Sequence, residues 1–329
     1  MTATTAPVVS IVVPMLDEID AIDDCLDGFA RQTHPRDRLE VLVVDGGSTD
    51  GSREHVLCRA AAEPWIRVVD NPARRASAAF NCGLNAANGD VVCLFSAHGV
   101  PSPDYVERSV VVLDETGAAG VGGRYEHVGV DPVSRAVGLA MESPFGMASP
   151  HRLARTRCDV DTISHPAYRR AAMLEVGLFD ETLMRNSDYE YNWRMSLRGH
   201  RLVFDPSVQS IYRPRTSLKA LGRQFWWYGR WKARVVRRHP KSMRLRHLVA
   251  PAFVAGIVAS PIIMRSAAGR RGVVALGVLY GAGVIAATTR AKPREHDASA
   301  PVLAASFPLM HISWGAGFLT SIVEDSVAR

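Results

Sequence analysis

Three apolar runs near the N-terminus end in polar side chains suited to chemistry. Asp17 and Glu18 follow Val8-Val9-Ser10-Ile11-Val12-Val13-Pro14, Asp45 follows Leu39-Glu40-Val41-Leu42-Val43-Val44, and Ser96 and His98 follow Val91-Val92-Cys93-Leu94-Phe95. Carboxylates at such positions can accept hydrogen bonds from a uracil imide or from ribose hydroxyls, which specifies a nucleoside rather than a free phosphate. Taken singly, each acid also suits a helix N-cap or a solvated turn. Two other nucleotide chemistries are excluded by the loops. Pro14-Met15-Leu16-Asp17-Glu18 stands where a dinucleotide fold needs G-x-G-x-x-G, and the glycines that follow Asp45 lack phosphate-loop spacing.

For these strand ends to meet, the intervening chain must return each run to the same edge of a sheet. Ala21, Ile22, Cys25, Leu26, Phe29 and Ala30 recur at helical spacing after the first run. Residues 45–52 are rich in turn and cap residues, Ile66-Arg67-Val68-Val69 predicts a short strand, and residues 76–87 predict a helix. The alternation predicts a doubly wound, mostly parallel α/β sheet with right-handed crossovers. Ligands in such sheets bind beyond the carboxyl ends of the strands, where Ser96 and His98 would lie. Later strands are predicted at residues 121–125 and 201–204, and residues 134–157 read as a mobile loop.

The net charge of +6 permits nucleic acid, an anionic membrane or phosphorylated ligands as partners. Position decides for the membrane, because cations crowd residues 213–246, just before the long apolar runs. The aromatic stretch Gln224-Phe225-Trp226-Trp227-Tyr228-Gly229-Arg230-Trp231 suits a membrane interface or a packed helix. Apolar segments at residues 248–264, 272–288 and 301–323 approach the length needed to cross hydrocarbon. Arg265, Arg270 and Arg271 follow the first of them; a spanning helix after a cytoplasmic domain would put them outside, against the positive-inside tendency, whereas a re-entrant or interfacial hairpin removes the conflict, and both readings stay open. Five cysteines without a C-x-x-C pair argue against a disulfide framework or zinc site and for a reducing compartment. No cleavable signal is visible before the first strand, which predicts a cytoplasmic first domain. The expected division is a catalytic α/β domain over residues 1–212, basic and aromatic interfacial helices over 213–246, and membrane-associated helices over 247–329.

Pro14-x-x-Asp17-Glu18, then Val43-Val44-Asp45-Gly46-Gly47-Ser48-Thr49-Asp50-Gly51-Ser52, then Ala79-Phe80-Asn81-x-Gly83 with Ala87-Asn88-Gly89-Asp90, together resemble the family 2 glycosyltransferases over roughly residues 8–232. Within that family, Ser96-Ala97-His98-Gly99, Gly177-Leu178-Phe179-Asp180-Glu181, Arg185-Asn186-Ser187-Asp188-Tyr189-Glu190, and Tyr228-Gly229-Arg230-Trp231 with His239-Pro240 are similar to the succinoglycan-biosynthesis type of membrane-associated glucosyltransferase. The resemblance implies a GT-A fold, a doubly wound mixed sheet that binds a nucleotide sugar, followed by a helical membrane-associated region. It implies an inverting transfer from a nucleotide sugar, taken as UDP-linked, to a lipid-linked or membrane-presented saccharide at the cytoplasmic face.

Carried over residue by residue, Asp188 is the expected general base. Pro14, Asp17, Glu18, Asp45, Arg75, Ser96 and Ala97 are expected around the nucleotide sugar, with Asp45 on the base and Arg75 near the diphosphate. Glu190, His165, Arg230 and Trp231 are expected toward the acceptor or diphosphate. The family's Asp-x-Asp metal motif is replaced here by Ser96 and His98. His98 is therefore the expected ligand of a divalent cation, Mn²⁺ or Mg²⁺, although both ions usually prefer carboxylate and water. Two other functions fit part of the pattern: a catalytically silent nucleotide-sugar-binding scaffold at the membrane, and a sugar nucleotidyltransferase, which wants a glycine-rich loop after the first strand.

Overall fold

A computed structural model of the chain describes residues 6–146, 153–291 and 297–327. The chain forms two compact units, Met1–Glu126 with Ala154–Tyr212, and His127–Leu153 with Arg213–Arg329.

The first unit begins with strand β1 (Val9–Met15), helix α1 (Ile22–Ala30), β2 (Leu39–Asp45), α2 (Ser52–Ala62), β3 (Ile66–Asp70), α3 (Ala76–Ala86) and β4 (Val91–Leu94). It continues with β5 (Gly99–Pro101), α4 (Tyr105–Thr116) and β6 (Gly120–His127), whose last residue opens the second unit. After the stretch assigned to that unit, β7 (Cys158–Asp159), β8 (Ala167–Arg169), α6 (Arg170–Val176), α7 (Ser187–Leu197) and β9 (Leu202–Tyr212) complete the first unit. Among the described residues, nine strands make one sheet in the order β3-β2-β1-β4-β8-β6-β9-β5, with β7 paired to β9.

The period of two along β1 explains why helices cover both faces. Val9, Ile11 and Val13 pack into one layer with Leu26 and Phe29 of α1 and Val112 of α4, while Val12 packs into the other with Leu84 of α3 and Tyr191 of α7. Each of these buried aliphatics contributes about 1.5–3 kcal/mol, so a charge at Val12 would break the strand from within.

The parallel character stops at β4. β1, β2, β3 and β4 pair in parallel, whereas β8 runs antiparallel to β4 and to β6, and β9 is antiparallel to β5 and β7. Residues 95–98 alone separate β4 from β5, too few for the crossover that a further parallel strand requires. The sheet instead curls, so that its last strand returns to the tip of β4.

The second unit contains α5 (Pro132–Glu142), α8 (Leu218–Arg238), α9 (Arg246–Ile263), α10 (Ala267–Ala291) and α11 (Ala300–Val327). α5 lies in the stretch expected to be a loop; residues 147–152 of that stretch are outside the described residues. Its start is written locally: Asp131 accepts from the Val133 and Ser134 amides, Ser134 Oγ accepts from the Asp131 amide, and Pro132 occupies the first turn. Its small buried residues Ala136, Val137 and Ala140 disguise the helical period.

α8 and α11 approach at glycines. A Cβ on Gly229 would overlap the Trp314 carbonyl, and one on Gly317 would overlap the Trp226 carbonyl, so a side chain at either position would drive the helices apart. α9, α10 and the Ala300–Glu324 part of α11 are each long and apolar enough to cross a membrane. Exposed Val258, Ile262, Leu276, Leu279 and Ile285 give α9 and α10 apolar outer faces. Arg270 and Arg271 fall in the first turns of α10, after the short link from α9.

Candidate active site

The strand order reverses between β1 and β4, with β2 on one side and β8 on the other. In open α/β sheets this switch point leaves a crevice beyond the strand ends. Glu18 leaves β1 and His98 leaves β4, and the two meet there with His98 Nδ1 3.2 Å from Glu18 Oε1. A carboxylate can only accept, so Nδ1 is the donor of this bond, and in the neutral imidazole Nε2 is the nitrogen left with a lone pair. Both side chains keep about a third of their surface exposed, at 34% and 27%. Ala97 is buried, and the half-buried Ser96 is fixed through its carbonyl by the Gly99 amide at 2.9 Å and the Cys25 thiol at 3.6 Å. Burial pushes the Cys25 thiol pKa far up, which keeps it neutral and able to donate.

The loop after β1 is laced to the loop after β2. Asp17, with a left-handed φ of 54°, accepts from the Thr49 amide at 2.7 Å, and its own amide donates to Ser48 Oγ at 3.0 Å. The Ile19 amide donates to Asp50 Oδ2 at 3.0 Å. Half-buried Pro14 pairs with Val44 in the β1–β2 register. Asp17 therefore serves first as a clasp between the loops that flank the crevice.

Asp45 is at the end of β2 with its side chain wholly enclosed. Its oxygens accept from Ser48 Oγ at 2.6 Å, the Ser48 amide at 3.1 Å, the Gly47 amide at 3.2 Å and Arg53 Nη1 at 2.9 Å. Burial opposes ionisation, but the bonds from Ser48, Arg53 and Gly47 outweigh it and hold the carboxyl below its usual range. Arg53 also binds Asp70 at the end of β3, at 2.8 Å. Sequence reasoning missed Arg53, Ser48 and Asp70; the Asp45-x-x-Ser48 and Asp50-x-Ser52 spacings were the available signal for side chains that close their own turns.

Arg75 precedes α3, and its Nη1 donates to the Glu181 carbonyl at 3.1 Å. Ser77 and Asn81 bind the Leu183 and Phe179 carbonyls, and Asn81 Nδ2 also meets Glu181 Oε1 at 2.8 Å. Together they dock the segment leading to α7 against α3. Asn186 occupies the N-cap position of α7 in a left-handed conformation, so exposed Asp188 stands inside the first turn rather than capping it.

One turn later Asn192 accepts from Tyr168 Oη at 2.6 Å and donates to Thr162 Oγ1 and the Ile163 carbonyl. Residues four apart share a helix face, so this anchor sets the direction of Asp188 as well. The negative charge of Asp188 is among the influences that raise the Tyr168 phenol pKa, after burial and Tyr191. Glu190, by contrast, is buried and clamped by Arg194 Nε at 2.9 and 3.1 Å.

His165, left-handed at φ 40°, stacks on Phe95 with centroids 4.2 Å apart, and its Nδ1 lies 2.9 Å from Ser210 Oγ. A Cβ on Gly99 would come within 2.8 Å of Phe95 and 3.1 Å of His165, so only glycine lets the β4–β5 turn pass. Tyr125 meets His165 and stacks on Tyr212, and neither was foreseen: Tyr125 closes the strand predicted at 121–125, whereas Tyr212 lies beyond the strand predicted at 201–204 and ends the longer β9. Arg230 and Trp231 belong to the second unit. There Arg230 pairs with Glu324 at 2.5 Å, and the ring of Trp231 is buried under Arg234 at 4.4 Å.

Among the described residues, no three His, Cys, Asp or Glu side chains gather into a metal site. His98, with Nδ1 taken by Glu18, offers one nitrogen. That donor set fits a divalent cation whose remaining ligands are diphosphate oxygens and water, and does not fit an ion caged by protein alone.

The sequence profile described as glycosyl transferase family 2 matches residues 10–177. The succinoglycan biosynthesis protein ExoA of Rhizobium meliloti (strain 1021) is 31% identical over 321 residues, covering 95% of this chain and 94% of that protein. The mannosyltransferase PcManGT of Pyrobaculum calidifontis, solved with GDP-Man and Mn²⁺, superposes with a TM-score of 0.67 at 20% identity over 97% of this chain and 88% of its own. GalNAc-T7, solved with UDP, GalNAc and Mn²⁺, superposes with a TM-score of 0.53 at 16% identity over 72% of this chain and 51% of its own. The fold is thus GT-A, and the chain is a glycosyltransferase belonging to glycosyl transferase family 2.

Proposed function

We propose that this enzyme inverts the anomeric centre of a UDP-sugar as it passes the sugar to a lipid-linked or membrane-presented saccharide during polysaccharide or glycoconjugate assembly, with the catalytic unit on the cytoplasmic side. The observation that carries it is the Glu18–His98 pair at the β1/β4 switch point, flanked by Pro14, Asp17, Ser96 and Ala97. The nucleoside is assigned to the β1 and β2 loops, which the Asp17–Thr49, Asp17–Ser48 and Ile19–Asp50 hydrogen bonds clasp to one another. Arg75, bonded among the described residues only through Nη1 to a carbonyl, keeps cationic surface for the diphosphate.

Asp188 removes the proton from the acceptor hydroxyl. The oxygen forms its bond to the anomeric carbon as the bond to the diphosphate oxygen breaks, and the electron pair leaves with UDP. The partial structural commitment of Asp17, and the Arg194 clamp on Glu190, keep those acids from competing as bases. His98 would hold a donor-borne Mn²⁺ or Mg²⁺ through Nε2, and the cation's contribution would be to neutralise charge on the departing diphosphate. Support for the membrane setting comes from the three long apolar helices and from the cations that precede them.

The test uses the full chain in nanodiscs with a panel of UDP- and GDP-sugars. Asp188→Asn should bind UDP as the wild type does and lose transfer by about a hundred- to ten-thousand-fold. Undiminished turnover would remove Asp188 from the role, and UDP binding without turnover on any donor would favour the silent scaffold.

A further inference from the structure

A continuous band of aromatic rings leaves the core and ends at His98. Phe95, which is buried and packs edge-on against Phe29 and Tyr105, stacks on His165 at 4.2 Å. His165 and Tyr125 form a T-shaped pair at 4.6 Å, Tyr125 stacks on Tyr212 at 5.9 Å with the rings 26° apart, and Tyr212 meets His98 at 5.9 Å. The sheet explains the alignment: Tyr212 is the register partner of Gly99 on β5, and β9, β6 and β8 are consecutive neighbours. Phe95 is buried, whereas His165, Tyr125, Tyr212 and His98 are half-buried. Strand alternation sends the exposed Arg124 and Glu126 to the opposite face from Tyr125, so the band presents rings without formal charge between its two imidazoles.

We propose that Tyr125 and Tyr212 form a saccharide subsite, a wall on which a neutral pyranose of the acceptor lays its C–H face; this rests on the glycosyl-transfer reading above. Rings rooted on strands hold their geometry better than rings on loops. Aromatic linings with a few polar groups characterise sites for small uncharged ligands. The half of the sheet it occupies also argues for acceptor over nucleobase. The band runs from His98 toward β8, β6 and β9, away from the β1 and β2 loops, and α7, which carries Asp188, is bonded to the residues just before β8.

The experiment places the full chain in nanodiscs with methyl β-D-glucopyranoside and methyl β-D-galactopyranoside as probes. Saturation-transfer NMR reads saccharide contact, and titration calorimetry with UDP and Mn²⁺ reads the donor site. Tyr125→Ala and Tyr212→Ala should each weaken pyranoside binding about 3- to 10-fold, as expected for one lost ring contact, with UDP affinity unchanged. Tyr125→Phe and Tyr212→Phe keep the ring and should keep the saccharide signal, and they guard against an alanine variant that fails to fold. No pyranoside signal in the wild type, equal signal in folded alanine variants, or loss in the phenylalanine variants would overturn the stacking wall. Weakened UDP binding in the alanine variants would overturn it in favour of a nucleobase contact. Failure of the wild type to bind UDP or GDP would instead strike the parent reading.

Discussion

At the end of β2 the Asp45 carboxylate accepts four hydrogen bonds and is closed from solvent, whereas between β1 and β4 the Glu18–His98 pair makes one bond and stays part-exposed. The two corners belong to one crevice and answer differently to the same question, which is what remains for a ligand. A carboxylate has about four lone-pair sites, and Asp45 has spent all of them on its own turn and on Arg53. His98 has spent one ring nitrogen, and doing so fixes the tautomer of the other. The acid that looks most like a ligand is thus the keystone of the corner, and the histidine that departs from the family's acidic motif retains a nitrogen for ligation.

Substitutions can break this contrast. The largest stability effect expected is at Asp45. Asp45→Asn removes charge-assisted bonds from a buried group and should cost about 2–3 kcal/mol, read as a lower unfolding midpoint in denaturant. Glu18→Ala should leave the midpoint nearly unchanged and weaken Mn²⁺ affinity in the presence of UDP about 10-fold, read by electron paramagnetic resonance; a large stability loss with unchanged affinity would erase the contrast.

The smallest effect is in pH. The carboxyl of Asp45 titrates below its usual 3.8 in the folded state. Its contribution is therefore complete above pH 3.8 and is lost as pH falls through the lower native value. Wild type and Asp45→Asn should converge in stability as the solution is acidified below 3.8, and a constant gap would show that the charge is not the cause.

The strands of the first unit are legible because β-branched runs buried on both faces leave little ambiguity, and their polar ends mark the crevice. Their direction is less so: the short β4–β5 link, which forces the sheet to curl, is only visible as a problem once the partners of β5 are known. α5 escaped because Ala136, Val137 and Ala140 carry a weak apolar period, although the Asp131-Pro132-x-Ser134 start was present in the sequence. In the site, the placements that depended on local sequence were readable, such as Asp188 near the start of a helix. Those that depended on a distant partner were not, since 80 residues separate Glu18 from His98 and 106 separate Arg75 from the Glu181 carbonyl. The Arg194 clamp on Glu190 was within reach, because a four-residue spacing on a predicted helix places the two side chains together.

The proposal makes the β1/β4 crevice, with His98 at its edge, the nucleotide-sugar site. Calorimetric titration of UDP with Mn²⁺ into the full-length His98→Ala variant tests it most directly. Affinity should fall at least about 10-fold with an unchanged unfolding midpoint, the effect expected for loss of a metal-site group. Wild-type affinity in a folded His98→Ala protein would contradict it.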